Sequence, residues 1–249
     1  MSKASWWEVR CGDCIEQMRE LVGYETRYRV FFADPPYNQK VNYGRGRAVD
    51  NLPRDEFESW CRTWISLGSE LLTEDGSMWV LVPDQWIGLV QGAMEAAGLH
   101  HRCIVVWHET FGVYRTNNFG KCSRFLCYMI KSKKDYVFNR QAVTVPSARQ
   151  TVYNDKRAQR GGKIRGSVWT IPRVCGTYGE RMKDFPTQLP LELLRLIVGC
   201  ASDVGDWIID PFSGSGTTGV ACLEQKRNYV GIEQESKFCR LSRKRLDAV

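Results

Sequence analysis

The chain has 249 residues, 43% hydrophobic and 25% charged, the balance of a soluble globular protein holding one large α/β domain or a core with a small insert. No apolar run approaches the ~20 residues that a bilayer span requires, and Met1-Ser2-Lys3-Ala4 does not open a signal peptide, so a cytoplasmic protein is expected and a membrane protein is not. The net charge of +7 is concentrated: Lys131 to Lys183 holds 13 Lys and Arg against 3 acids, and the remainder is net −3.

Strand and helix signals alternate along the N-terminal half. Ser5 to Arg10 reads as a strand, Asp13 to Val22 as a helix, and Tyr28 to Ala33 as a buried strand. Asp55 to Leu72 has helical spacing, Ser77 to Val82 is a strand, Asp84 to Ala97 a helix closed by Gly98, and Arg102 to Trp107 and Arg124 to Lys131 are further strands. Between Asn38 and Pro53 the order breaks into a basic glycine loop, Tyr43 to Arg47, and the basic segment from Tyr136 to Asp184 also lacks periodicity. The pattern then resumes with a helix from Pro190 to Ala201, a strand from Asp206 to Asp210, a helix from Thr217 to Gln225, a strand from Tyr229 to Ile232 and a final helix from Glu235 to Leu246. Such alternation argues for a mostly parallel sheet with crossover helices. The ten cysteines do not group: Cys11 and Cys14 form one C-x-x-C with no second pair to complete a metal site, so reduced thiols and no metal are expected.

The strand Tyr28 to Ala33 runs into Asp34-Pro35-Pro36-Tyr37. Proline fixes its own φ and biases its predecessor toward extended geometry, so this is a stiff corner with a carboxylate and a flat ring at its tip. It suits either a strand-ending turn with a buried tyrosine or a seat for a nucleobase, with hydrogen bonds to an exocyclic amine and stacking on Tyr37. Near the other end, Trp207 to Asp210 leads into Pro211-Phe212-Ser213-Gly214-Ser215-Gly216-Thr217-Thr218-Gly219 and then a helix, so G-x-G-x-x-G stands between strand and helix as that motif requires. Glu233 ends the next strand, 19 residues beyond Gly214, where an acid takes ribose hydroxyls. Asp210 in front of the loop would repel a pyrophosphate but can accept hydrogen bonds from a cationic amino group, which favours S-adenosylmethionine over a nicotinamide dinucleotide. The basic segment has the electrostatic footprint of a phosphate-backbone contact, with a solvated loop as the alternative.

At this point the chain resembles the S-adenosylmethionine-dependent DNA amino-methyltransferases of the circularly permuted β group, in which D-P-P-Y precedes the cofactor loop. The likeness rests on Gly12-Asp13-Cys14 ahead of Asp34-Pro35-Pro36-Tyr37-Asn38, on Phe185-Pro186-Thr187-Gln188-Leu189-Pro190, on Asp210 to Thr218, and on Tyr229 to Glu233. Phe185 and Leu189 stand where that group usually has His and Lys, so roles for those two side chains do not carry over. The resemblance implies a Rossmann-like, doubly wound, mostly parallel α/β sheet, circularly permuted, with residues 1–135 as the catalytic half, 136–184 as a small irregular target-recognition insert and 185–249 as the cofactor-binding half. It implies methyl transfer to the N6 amine of a flipped adenine in double-stranded DNA, with cytosine N4 as the runner-up and an inactive DNA-binding relative as the reading from another class.

In that scheme Asp34, Pro35, Pro36 and Tyr37 are catalytic. Asp13, Cys14, Asp34, Thr187, Asp210, Pro211, Phe212, Gly214, Ser215, Gly216, Thr217, Thr218 and Glu233 hold the cofactor, with Asp13 alternatively a helix N-cap. Lys40, Arg45, Arg47, Arg149, Lys156, Arg157, Arg160, Lys163 and Arg165 contact DNA, Trp107-His108 and Arg115 to Lys121 face the substrate, and Trp169, Ile171 and Pro172 either anchor the insert or touch DNA. A homodimer is left open, and no restriction endonuclease partner is named.

Overall fold

A computed structural model describes residues 5–41, 50–113, 115–157, 161–183 and 185–249. In chain order its elements are β1 (Trp7–Cys11), α1 (Cys14–Val22), β2 (Tyr28–Ala33), α2 (Arg54–Leu71), β3 (Leu72–Val82), α3 (Ile87–Ala96), β4 (His100–Val113) and β5 (Lys121–Ile130). There follow β6 (Thr144–Val145), α4 (Ala148–Thr151), β7 (Lys163–Ile164), β8 (Val168–Thr170), α5 (Leu191–Ala201), β9 (Trp207–Asp210), α6 (Thr217–Glu224), β10 (Asn228–Glu233) and α7 (Ser236–Leu246).

Eight strands form one sheet in the order β1-β10-β9-β2-β3-β5-β4-β8. Pairing is parallel from β1 through β3, antiparallel on both sides of β5, and parallel again between β4 and β8. The expected mostly parallel, doubly wound sheet is therefore present, with β5 as its one reversed strand among the described residues.

Strand β2 shows why its sequence is apolar throughout: Val30 and Phe32 face one core, Phe31 and Ala33 the other, since successive side chains of a strand alternate. Helices α1, α2 and α3 cover one face through Met18, Trp64 and Met94; α5, α6 and α7 cover the other through Leu193, Ala221 and Leu246. The crossover from β2 to β3 thus lies on one face and that from β9 to β10 on the other. Because β2 pairs directly with β9, the chain's winding reverses between them. Ligands of open α/β sheets bind at such a reversal.

Two findings modify the sequence reading. Cys11 and Cys239 form a disulfide, with Cα atoms 6.0 Å apart, so two of the ten cysteines are not free thiols; α7 packs back across β1 and brings together residues that no local spacing links. In addition, the basic segment is stitched into the sheet rather than lying on it. Its strand β8 pairs with β4, Trp169 and Ile171 are buried, and Trp107 Nε1 donates to the Ile171 carbonyl at 2.8 Å, so these two side chains anchor the segment. Ile171 is 0% exposed, and Ile171→Ala is expected to lower stability by about 2–5 kcal/mol in urea unfolding. A loss below about 0.5 kcal/mol would show that the segment lies outside the cooperative core.

Candidate active site

The carboxyl ends of β1, β10, β9 and β2 open onto one cleft of about 600 Å³. Each end contributes a short group: Gly12, Asp13 and Cys14 after β1; Glu233, Gln234 and Glu235 after β10; Asp210 to Thr218 after β9; and Asp34 to Tyr37 after β2. The register sets the last two side by side, with Phe31 opposite Ile209. Neighbouring strands lie about 4.8 Å apart, so Asp34 and the glycine loop share one crevice.

The glycine loop is held by its own acids. Gly214 and Gly216 have φ of +50° and +76°, in the left-handed region that glycine adopts without strain. A Cβ on Gly214 would come within 2.6 Å of the Phe185 ring. Glu233 Oε2 accepts from Gly214 N at 2.9 Å and Oε1 from Glu235 N at 2.7 Å. Asp210, 2% exposed, accepts from Phe212 N at 2.9 Å and from the Thr218 hydroxyl at 2.5 Å. Burial pushes the Asp210 carboxyl up to about 7, and burial raises Glu233 as well. On the far side, Arg245 Nη1 donates to Thr217 Oγ1 at 2.8 Å.

The corner after β2 is seated on aromatics. Phe212 packs edge-on against Trp64 at 5.4 Å and beside Trp60 at 5.6 Å, and Trp86 Nε1 donates to the Tyr37 carbonyl at 2.8 Å. Asp50, 3% exposed, accepts from the backbone N–H groups of Asn38, Gln39 and Val41 at 2.6–3.0 Å, which fixes the chain just past the corner. The Tyr37 hydroxyl donates to Asp34 Oδ1. Burial raises the Asp34 carboxyl, Glu109 adds to that rise, and Arg124 and the Tyr37 hydrogen bond oppose it. Arg124 reaches in from β5, with Nη1 3.4 Å from Tyr37 Oη and 4.0 Å from Asp34 Oδ2, and its Nε donates to Glu109 at 2.5 Å.

The charge of the cleft is divided. Among the described residues its walls from β1, β9 and β10 carry Asp13, Asp210, Glu233 and Glu235 and no cation, whereas its cations, Arg115, Lys121, Arg124 and Arg173, come from the β4–β5 hairpin and the turn after β8, where Arg124 is paired with Glu109 and Lys121 with Asp84. Such an acidic half suits a small cationic ligand and repels a pyrophosphate; the basic rim suits phosphate.

A family model described as DNA methylase, of the N6/N4 methyltransferases, matches residues 28–244. The chain belongs to this family. The methyltransferase is 28% identical over 243 residues to the DNA adenine methyltransferase YhdJ of Escherichia coli, a match covering 95% of this chain and 81% of that one. Its fold is that of a solved M1.HpyAVI–SAM complex, with TM-score 0.68, 21% identity, and 96% and 100% of the two chains covered. It is likewise that of the cytosine-N4-specific PvuII DNA methyltransferase, with TM-score 0.69, 14% identity, and 96% and 86% covered. The expected enzyme class and Rossmann-like sheet are borne out.

Of the residues singled out in the sequence, Asp13, Cys14, Asp34, Pro35, Pro36, Tyr37, Thr187, Asp210, Pro211, Phe212, Gly214, Ser215, Thr217, Thr218 and Glu233 all line the cleft of the methyltransferase. Asp13 is also the N-cap of α1, accepting from Ile15 N at 2.9 Å and Glu16 N at 3.1 Å. Phe185 and Leu189, to which no role was carried over, form part of the wall. Gly216 lies behind the loop, where an added Cβ would overlap Ser242. The basic residues are not gathered there: Lys40 is exposed beside the cleft, between the lining residues Gln39 and Val41, Arg149, Lys156, Arg157 and Lys163 are exposed and outside the lining, Arg165 is half-buried, and Arg45, Arg47 and Arg160 lie outside the described residues. The β6–β7 hairpin carrying Lys163 follows a turn that packs near Gly199 and Cys200, the end of α5 remote from the cleft. Sequence reasoning missed Glu109, Arg124, Arg173 and Asp50.

Asp210 holds its proton more tightly when folded than an unfolded aspartate does. Its stabilising contribution is therefore complete below about pH 4 and is lost as pH rises through about 7. Asp210→Asn is expected to remove that part of the pH dependence, so that urea midpoints at pH 5 and pH 8 lie closer together than in the parent protein. An unchanged difference would place the titration elsewhere.

Proposed function

We propose that this methyltransferase transfers a methyl group from S-adenosylmethionine to the N6 amine of an adenine flipped out of double-stranded DNA. The observation that carries the reading is the meeting of two groups in one cleft: the acids Asp13, Asp210 and Glu233 beside the glycine loop, fitted to a cationic methyl donor, adjoin Asp34 and Tyr37, while Arg115 and Arg173 line the same cleft from the side of β4 and β8. The adenine specificity named for the relative YhdJ, together with aspartate at position 34, favours adenine over cytosine.

S-adenosylmethionine would supply an electrophilic methyl on a sulfonium sulfur. Glu233 would bind the ribose hydroxyls, Asp13 and Cys14 would border the adenine end, and the acids beside the loop, with Thr187, would face the methionine end. Asp34 and the Pro35 carbonyl would accept hydrogen bonds from the target amine, which localises its lone pair on nitrogen, while Tyr37 stacks on the ring. The amine nitrogen would attack the methyl carbon in line as the carbon–sulfur bond breaks with its electron pair left on sulfur, giving the neutral thioether S-adenosylhomocysteine, and would shed a proton, for which the buried Asp34 carboxylate is a suitable acceptor because burial favours its neutral form. No covalent enzyme intermediate is needed, and positioning two bound reactants can contribute about 7–11 kcal/mol.

The β4–β5 hairpin supports base flipping. Its tip presents Phe119, 92% exposed, between Arg115 and Lys121 at the cleft rim. Exposed apolar side chains of this kind wedge between base steps and hold a duplex unstacked. In this reading residues 1–135 supply the base corner, 185–249 the cofactor wall and 136–184 target contacts, led by Arg173 at the cleft, while Arg149, Lys156, Arg157, Lys163 and Arg165 would meet only phosphates of the duplex beyond the target base.

Asp34→Ala is expected to abolish transfer of labelled methyl groups to DNA while S-adenosylmethionine binding by calorimetry stays within a few-fold of the parent. Transfer at the parent rate would refute the chemistry, and nucleoside mass spectrometry of the product separates N6-methyladenine from N4-methylcytosine. Glu233→Ala should weaken cofactor binding by about tenfold or more, since it removes an acceptor of charge-assisted hydrogen bonds; unchanged affinity would refute the ribose assignment.

A further inference from the structure

We propose that Glu109 is a positioning residue for methyl transfer: by holding Arg124 it keeps the guanidinium from closing on Asp34, and so leaves the Asp34 carboxylate open to the amine. This rests on the reading of Asp34 as the amine's acceptor and goes beyond it to a residue that acts through Arg124.

The cluster holds two carboxylates and one guanidinium. Across the antiparallel β4–β5 pair, Trp107 stands opposite Arg124, and Glu109 lies two residues on, on the same side of β4. Trp107 is 0% exposed and tied to Ile171, so it is a fixed plate beneath the arginine, whose Cζ lies 4.4 Å from the indole centroid. Glu109, 7% exposed, takes Arg124 Nε at 2.5 Å, whereas Asp34 Oδ2 stands 4.0 Å from Nη1 with no hydrogen bond. Arg124 thus neutralises the cluster at a distance from Asp34, and Glu109 sets that distance. Without Glu109, Asp34 is the acid of this cluster left to pair with the guanidinium. Arginine pairs with carboxylates through two parallel hydrogen bonds. That pairing would occupy the oxygens the amine needs.

The titratable groups facing Asp34 are Tyr37 of its own corner, Arg124 from β5, Glu109 from β4 and Asp210 at the end of β9; Lys121 and Arg173 line the same cleft. Removing Glu109 or Arg124 therefore moves Asp34 in opposite directions. In Glu109→Gln the guanidinium pairs with Asp34 and holds it ionised to lower pH. In Arg124→Met the carboxylate loses its cation and protonates at higher pH. Because Asp34 must be ionised to accept from the amine, the acid limb of the rate profile moves down in pH in the first variant and up in the second.

The test is single-turnover methyl transfer to duplex DNA with labelled S-adenosylmethionine across roughly pH 5–9, with cofactor affinity measured by calorimetry on the same preparations. Glu109→Gln is expected to lower the plateau rate by about tenfold or more with cofactor affinity within about twofold, and the double variant Glu109→Gln/Arg124→Met to recover most of that loss above its own acid limb. Opposite displacements of the acid limb in the two single variants complete the expected result. The proposal is overturned if Glu109→Gln transfers at the parent rate, if the double variant is no faster than Glu109→Gln, or if both limbs move the same way. Asp34→Ala run alongside keeps the failures apart: an active Asp34→Ala defeats the parent reading too, whereas an inactive one beside a fully active Glu109→Gln defeats only the role of Glu109.

Discussion

The parallel contact between β2 and β9 is the constraint on which the rest of the molecule depends. These strands come from opposite ends of the sequence, and their crossovers leave toward opposite faces of the sheet. The crevice that opens between them is the one place where a carboxylate corner from the first half and a glycine loop from the second can meet. Every other feature of the site is arranged around it: aromatics of α2 brace Phe212 beneath the corner, and the β4–β5 hairpin reaches over from the neighbouring part of the sheet.

The acids of the cleft are costly to bury and are accommodated by backbone N–H groups. Glu233, Asp210 and Asp50 each accept from main-chain nitrogen in the loops they fix. A buried carboxylate left without partners would cost several kcal/mol, so these loops are bound to the acids as much as the acids to the loops. The result is a rigid rim of backbone, built from few regular elements, in which positions rather than bulk packing carry the chemistry.

The parts legible in the sequence were those specified locally. A β2 apolar on both faces, prolines after Asp34, glycines where φ turns positive, and an acid at the end of the following strand are each written within a few residues of where they act. What was not legible depends on partners far apart in sequence. Arg124 and Glu109 meet only through the register of β4 against β5, and Asp50 folds back on Asn38 across a loop without periodicity. The disulfide joins Cys11 to Cys239 across nearly the whole chain. Strand β8 is three residues long in a segment rich in charge, too short to show a period, and it is defined by its pairing with β4, far away in the sequence. Net charge located the basic segment, but could not tell which of its cations face the cleft.

The Tyr37 hydroxyl donates to Asp34 Oδ1, so phenol and carboxylate are paired within the corner itself. In the functional reading adopted above, arrival of a base is then an exchange of donors at one carboxylate. A base with an exocyclic amine gives back the hydrogen bond that the phenol surrenders, so its entry is close to neutral in polar terms and is decided by stacking. A base that presents a carbonyl at that position gives nothing back and turns two acceptors toward each other. Sites built to receive a hydrogen-bond donor reject analogues lacking it far more strongly than a shape filter can. In that reading, selectivity for amino bases over keto bases would follow from the pairing of Tyr37 with Asp34.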